Sequence, residues 1–173
     1  LQRGLRRFLL AEFLSIPTES LVFSRDEFGK PRSNQTAAFG ISHTNELFAL
    51  AVSLDAKSIG IDIELASREM QRDKLAKRYY SEAEQQSLNS DNPNQRFLEI
   101  WTRKEAVVKG HGLGLRIKIA ELETGQGNHI KHDTLGHWHI NTFTAENHIV
   151  SLAWQGDKSL AVNVRQCISD KCA

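Results

Sequence analysis

Cysteine is scarce in this sequence. Only Cys167 and Cys172 occur, near the C-terminal end with four residues between them. That spacing fits neither a zinc knuckle nor a redox CxxC pair, so both are read as ordinary thiols. Long apolar runs are missing too: nothing approaches the ~18 uninterrupted apolar residues of a spanning helix. Arginines recur through the opening segment, which removes a signal-peptide pattern. The expectation is a cytoplasmic protein with no membrane partner. An excess of one charge is also lacking, because 22 Lys and Arg stand against 21 Asp and Glu for a net charge of +1. No basic footprint for nucleic acid is present. The sequence begins at Leu1 and its single methionine is Met70, so a piece preceding Leu1 is expected to be missing.

What remains is an ordinary globular composition, 40% apolar and 25% charged over 173 residues. That length can bury a core as one compact domain or as two small halves sharing an interface. Leu5, Phe8, Leu9 and Phe13 form a helical stripe over residues 2–14, with Arg3, Arg6, Arg7 and Glu12 on the other side. A short strand is expected over Leu21 to Phe23, and a Gly- and Pro-bearing loop over Asp26 to Pro31. Two apolar runs, Ala37 to Ser42 and Leu47 to Leu54, flank a polar His43-Thr-Asn-Glu46 and predict a hairpin. A third strand follows at Ser58 to Glu64.

The middle reads as helices near 68–79, 82–89 and 94–109. The last of these offers Phe97, Ile100, Trp101, Val107 and Val108 to a core and stops at Gly110-His-Gly112. Alternating segments near 115–122, 137–144, 148–154 and 159–165 predict an antiparallel meander. No sequence repeat is visible, and the regular βαβ alternation of a parallel sheet is absent. The fold class is α+β, with two similar halves, each a helix on a small mainly antiparallel sheet, divided as 1–66 and 67–173. His129, His132, His137 and His139 lie in turns and edge strands without an accompanying acid or cysteine pattern, and are not read as a zinc site.

Two segments carry chemistry. In Gly60-Ile-Asp62-Ile-Glu64 the isoleucines take one strand face, and two carboxylates at i and i+2 project from the other, where they can share one cation. The plain alternative is a strand with an exposed acidic face. In Trp101-Thr-Arg-Lys104-Glu105-Ala-Val-Val-Lys109, Glu105 and Lys109 lie one helical turn apart beside Lys104. These are either a surface ion pair or a third carboxylate with two lysines aimed at phosphate.

Five segments in order resemble the motifs of the 4'-phosphopantetheinyl transferase superfamily, in its double-length Sfp-like form. They are Phe28-Gly-Lys-Pro31, Phe39-Gly-Ile-Ser-His43, Gly60-Ile-Asp-Ile-Glu64, Tyr80-Ser-Glu-Ala-Glu84 and Trp101-Thr-Arg-Lys-Glu-Ala-Val-Val-Lys109. The resemblance implies that Asp62, Glu64 and Glu105 hold Mg²⁺ and that Lys104 and Lys109 contact the phosphates of coenzyme A. By the same resemblance Ser42 and His43 bind coenzyme A phosphates, and Lys30 and Pro31, with Gly29, lie near its nucleotide end. Glu105 is the first choice for assisting proton removal, with Lys109 stabilising the leaving group. Glu84 is the second choice as base, although Ser81-Glu-Ala-Glu84 also has the form of a helix capping box. The implied partner is an acyl, peptidyl or polyketide carrier protein, the implied state is a monomer, and the cleft is expected between the halves. A noncatalytic coenzyme A or carrier-binding module and a Mg²⁺-dependent phosphohydrolase are the competing readings.

Overall fold

The computed structural model describes residues 2–157 and 159–166, so Cys167 and Cys172 lie outside the described residues. It opens with α1 (Gln2–Leu14), β1 (Phe23–Arg25), β2 (Pro31–Ser33), β3 (Ala38–His43), β4 (Phe48–Ser53) and β5 (Ser58–Leu65). It continues with α2 (Arg72–Tyr79), α3 (Glu82–Gln86), α4 (Pro93–His111), β6 (His129–His132), β7 (Gly136–Ala145) and β8 (His148–Gln155). All strand pairs among the described residues are antiparallel, and the class is α+β as expected. No helix among the described residues is long and apolar enough to cross a membrane.

Two helix-on-sheet units are visible. In the first, Leu10 and Ala11 of α1 pack with Leu21 and Phe39 against the β3–β4 hairpin. In the second, α4 lies across a four-stranded sheet of order β5-β8-β7-β6. Strand β5 precedes residue 66 in the chain, yet its ladder partner is β8, from Ser58 opposite Gln155 to Leu65 opposite His148. Its alternation divides the two faces as the sequence implied. Ile59, Ile61 and Ile63 enter a core with Val150 and Trp154, while Gly60, Asp62 and Glu64 face α4.

Helix α4 is held at both ends. Asn92 caps its N-terminus by accepting from the Gln95 N–H, Pro93 takes the first position, and Gly112 closes it at φ 94°. The side chains of Phe97, Leu98, Ile100, Ala106 and Val107 are fully buried, each worth about 1.5–3 kcal/mol for the larger apolar ones. The helix comes so close to β5 that a Cβ on Gly60 would lie 2.1 Å from the Ala106 carbonyl oxygen and 2.3 Å from the Gly110 nitrogen. Strand β3 covers the same spot from the other side, a Cβ on Gly40 meeting the Gly60 Cα at 3.1 Å.

Several expectations are corrected. The α1 stripe is rotated: Phe8 and Phe13 are 44% and 51% exposed, while Leu10 and Ala11 are buried. The cause is on the polar side, where the Arg7 guanidinium donates to the Thr18 and Leu21 carbonyls and Arg6 lies 3.9 Å over the Phe23 ring. The helices read near 68–79 and 82–89 shorten to α2 and α3. Segment 115–122 forms no strand but two 3₁₀ turns, Gly114–Arg116 and Ile119–Glu121. Its carbonyls at Ile119 and Leu122 accept from the Lys104 ammonium, so a ladder neighbour is not needed. Residues 159–165 have no regular structure, and the outermost strand is instead β6, an element absent from the sequence expectation.

Gly60→Ala is expected to destabilise the protein by about 1–3 kcal/mol or more, because the methyl meets backbone that cannot rotate away. Urea unfolding of the variant checks this, and an unchanged midpoint would show that the contact is looser than described.

Candidate active site

The face of β5 that meets α4 places Asp62 and Glu64 beside Glu105 and Lys109. Asp62 is buried, and its Oδ1 accepts from Lys109 Nζ at 2.5 Å and from Ser42 Oγ at 3.1 Å. Ser42 is buried as well. Its hydroxyl oxygen also accepts from Lys109 Nζ at 3.1 Å and from the Ile63 N–H at 3.3 Å. Strand β3 is thereby tied to β5 through one side chain. Glu64 is nearly buried and its Oε2 is held by Arg68, a residue not foreseen as part of the site although it stands only four positions on.

The electrostatics record the crowding. Burial pushes the Asp62 carboxyl up from its ordinary value, Lys109 opposes that, and Glu64 adds to it. Burial likewise raises Glu105, with the charges of Asp62 and Glu64 in the same direction and Lys109 against. Three carboxylates therefore share one region of low solvation. Their hard oxygen donors suit Mg²⁺, and Asp62 Oδ2 is buried without a hydrogen-bond partner. They are not gathered as a cage: among the described residues no three His, Cys, Asp or Glu side chains are placed to hold a metal ion. Lys109 pairs with Asp62 and Arg68 with Glu64 instead.

The remaining expected residues lie elsewhere or do other work. Lys104 is 1% exposed, with its ammonium 2.7 Å from Glu84 Oε2 and bonded to the Ile119 and Leu122 carbonyls. Its assignment to coenzyme A phosphates is corrected on that ground, since no ligand reaches the ammonium without breaking a buried pair. Glu84 is equally enclosed. Its Oε1 accepts from the Thr124 N–H at 2.8 Å and its Oε2 from the Ser81 N–H at 3.0 Å, completing the capping box. That displaces the reading of Glu84 as a base.

Lys30 donates to Ser58 Oγ at 2.9 Å and to the Gly110 carbonyl at the C-terminal end of α4, a favourable place for a cation. Burial lowers its pKa to about 8. Pro31 begins β2 and lines a pocket of about 130 Å³ with Lys30, Ser33, Phe39 and Ser58, well below the ~300–1,000 Å³ of usual small-molecule sites. His43 closes β3 next to Ser42 and is exposed. One residue past it, Thr44 Oγ1 meets the buried His148 Nε2 at 3.2 Å, tying the hairpin turn to β8. Neither Thr44 nor His148 carried a signal in the sequence.

Residues 58–159 match the family model described as the 4'-phosphopantetheinyl transferase superfamily, a span that holds Asp62, Glu64, Glu105 and Lys109. The 4'-phosphopantetheinyl transferase gsp of Aneurinibacillus migulanus is 36% identical over 118 residues, covering 66% of this chain and 48% of that protein. The 4'-phosphopantetheinyl transferase HetI of a Nostoc species is 33% identical over 129 residues, covering 70% and 54%. The Sfp transferase of Bacillus subtilis is 30% identical over 118 residues, covering 65% and 51%. The chain thus spans about half the length of the curated relatives it matches. The Thermotoga maritima holo-[acyl-carrier-protein] synthase superposes with a TM-score of 0.47 at 22% identity, over 60% of this chain and 66% of that one.

Two outcomes follow from the geometry. Lys104→Met strands the Glu84 charge and is expected to cost about 3–5 kcal/mol in urea unfolding, with part recovered by adding Glu84→Gln. A stable variant with weakened coenzyme A binding would instead restore Lys104 as a ligand. For Glu105, whose carboxyl is raised in the fold, the unfolded chain binds fewer protons than the native one above the ordinary Glu range. Stability from this group therefore falls as pH rises through that range. Glu105→Gln should be more stable than the parent at neutral pH and lose the advantage toward pH 4, as thermal unfolding across pH would show.

Proposed function

This chain belongs to the 4'-phosphopantetheinyl transferase superfamily, and from that premise we propose that it transfers the 4'-phosphopantetheine arm of coenzyme A to a serine of a carrier protein. The observation that carries the reading is the meeting of Asp62, Glu64, Glu105 and Lys109 where β5 crosses α4. Asp62, Glu64 and Glu105 would hold Mg²⁺, with the orphaned Asp62 Oδ2 as the clearest open donor. When bound, that ion would supply charge neutralisation to the pyrophosphate of coenzyme A.

The protein's own groups supply the rest. Lys109, with 38% of its side chain exposed, can extend from Asp62 toward a phosphate oxygen while the helix backbone stays fixed. Ser42 keeps Asp62 oriented, and exposed His43 stands at the end of the same strand as a further phosphate partner. The carrier serine oxygen bonds to the β-phosphorus as the bond to the bridging oxygen breaks. The products are the phosphodiester and 3',5'-ADP. The serine proton goes to a carboxylate, and Glu105, beside Asp62 and Lys109, is the first choice for it. Since charge alignment does most of this work, loss of a single carboxylate is severe.

The carrier is an acyl, peptidyl or polyketide type acting in fatty acid, polyketide or nonribosomal peptide synthesis. The protein would act as a cytoplasmic monomer, with residues 1–66 and 67–173 as its two halves in sequence and β5 of the first built into the sheet of the second. The decisive experiment is intact-mass analysis of apo-carriers incubated with coenzyme A. Asp62→Ala, Glu105→Ala and Lys109→Ala are each expected to reduce transfer by a factor on the order of 10² or more. EDTA should abolish it and Mg²⁺ restore it. Near-normal transfer by folded Asp62→Ala would remove the metal assignment. Release of 3',5'-ADP without an acceptor would point to a hydrolase, and coenzyme A binding without any product to a noncatalytic module.

A further inference from the structure

We infer that Arg68 is a built-in competitor for the metal position, holding Glu64 until a divalent cation displaces it, an inference that rests on the carboxylate reading above. Glu64 ends the acidic face of β5 with 9% of its side chain exposed, and its Oε2 is bound by the Arg68 guanidinium, whose side chain is 49% exposed. The intervening backbone reverses direction. The Arg68 N–H donates to the Leu65 carbonyl at 2.8 Å, and the Ala66 N–H donates to the Asn147 carbonyl at 2.7 Å. The turn is therefore fastened to the β7–β8 connection and returns the guanidinium to the carboxylate it has just passed.

The reason for the contact is electrostatic. Glu64 stands among Asp62 and Glu105 in a poorly solvated region, and an unpaired carboxylate there is costly. Lys109 neutralises the Asp62 end of the cluster, held by both Asp62 and Ser42. Arg68 neutralises the Glu64 end from a more exposed position. A divalent cation performs the same neutralisation with twice the charge, so cation and guanidinium compete for Glu64. Displacement releases a planar group with five donors at the rim of the site, a form suited to paired contacts with phosphate oxygens. Loading of the cation and presentation of Arg68 to an anionic substrate are then one event.

The test uses Mn²⁺ as probe, with free Mn²⁺ read by electron paramagnetic resonance as it is titrated into the full chain. Arg68→Gln is expected to lower the Kd for Mn²⁺ roughly threefold to fivefold, the upper value equivalent to about 1 kcal/mol. Arg68→Lys should stay near the parent. Arg72→Gln removes an equal charge four residues further along the chain, but Arg72 is paired with Asp73 at 2.9 Å, so less than about a twofold change is expected. Equal or weaker Mn²⁺ binding by folded Arg68→Gln overturns the proposal. Equal tightening by Arg72→Gln also overturns it, because the effect would then be one of net charge. If the parent binds no Mn²⁺ at millimolar concentration and Glu64→Gln changes nothing, the carboxylate reading itself fails, and the proposal with it.

Discussion

The backbone of β5 touches the backbone of α4 at Gly60, and the meeting of Asp62, Glu105 and Lys109 follows from that contact. A side chain at Gly60 would hold helix and strand apart, and a Cβ on Gly110 would lie 3.1 Å from the Gly60 nitrogen and 2.6 Å from the Trp138 ring of β7. With both positions bare, Glu105 and Lys109 come within reach of Asp62 two residues along the strand. Gly40 brings β3 onto the same point, so Ser42, two residues on, reaches Asp62 from the other side. Three segments distant in sequence converge because three glycines let their backbones approach.

Helix α4 carries two sets of charged side chains with different tasks. Arg96, Arg103 and Lys104 turn toward the 112–128 connection and donate to its carbonyls at Gly125, Thr124, Gly127, Ile119 and Leu122. Burial lowers the Arg103 pKa to about 10, which still leaves it charged at neutral pH. The connection has little ladder of its own, so these cations satisfy backbone that would otherwise be buried and unpaired. Glu105 and Lys109, one and five residues beyond Lys104, point instead to β5. Adjacent residues on a helix diverge by about 100°, and that rotation separates the set that holds the connection from the set that faces β5.

The sequence was most readable where periodicity and chemistry agreed. Alternation through Ile59, Ile61 and Ile63 located β5 and both of its faces, and Gly112 located the end of α4. The carboxylates and Lys109 were legible because a strand period of two and a helical turn of four each put them on one face. Lys104 was misread because proximity in sequence to Glu105 does not report direction around the helix. Its partner Glu84 lies twenty residues earlier and its carbonyl acceptors fifteen and eighteen later. Segment 115–122 failed for the same reason. Ile117, Ile119 and Leu122 are all buried, so their pattern recorded burial against α4, and the choice between ladder and turn was made by side chains elsewhere in the chain. The orientation of α1 was equally hidden, because Arg6 and Arg7 are ordinary surface residues until Phe23 and the Leu21 carbonyl stand beside them.

The carboxylate cluster has an energetic direction. Other buried charges are balanced, as Lys104 is by Glu84 and Arg103 by three acceptors. At β5 the balance is incomplete: Asp62 Oδ2 has no partner, and the Asp62 and Glu105 carboxyls are both raised. Such a region stores a preference for added positive charge, and Lys109 and Arg68 meet it only in part, each from a flexible and partly exposed side chain. Rigid backbone contact beneath and movable cations above is the arrangement that lets positive charge exchange at the site without disturbing the strand that carries it.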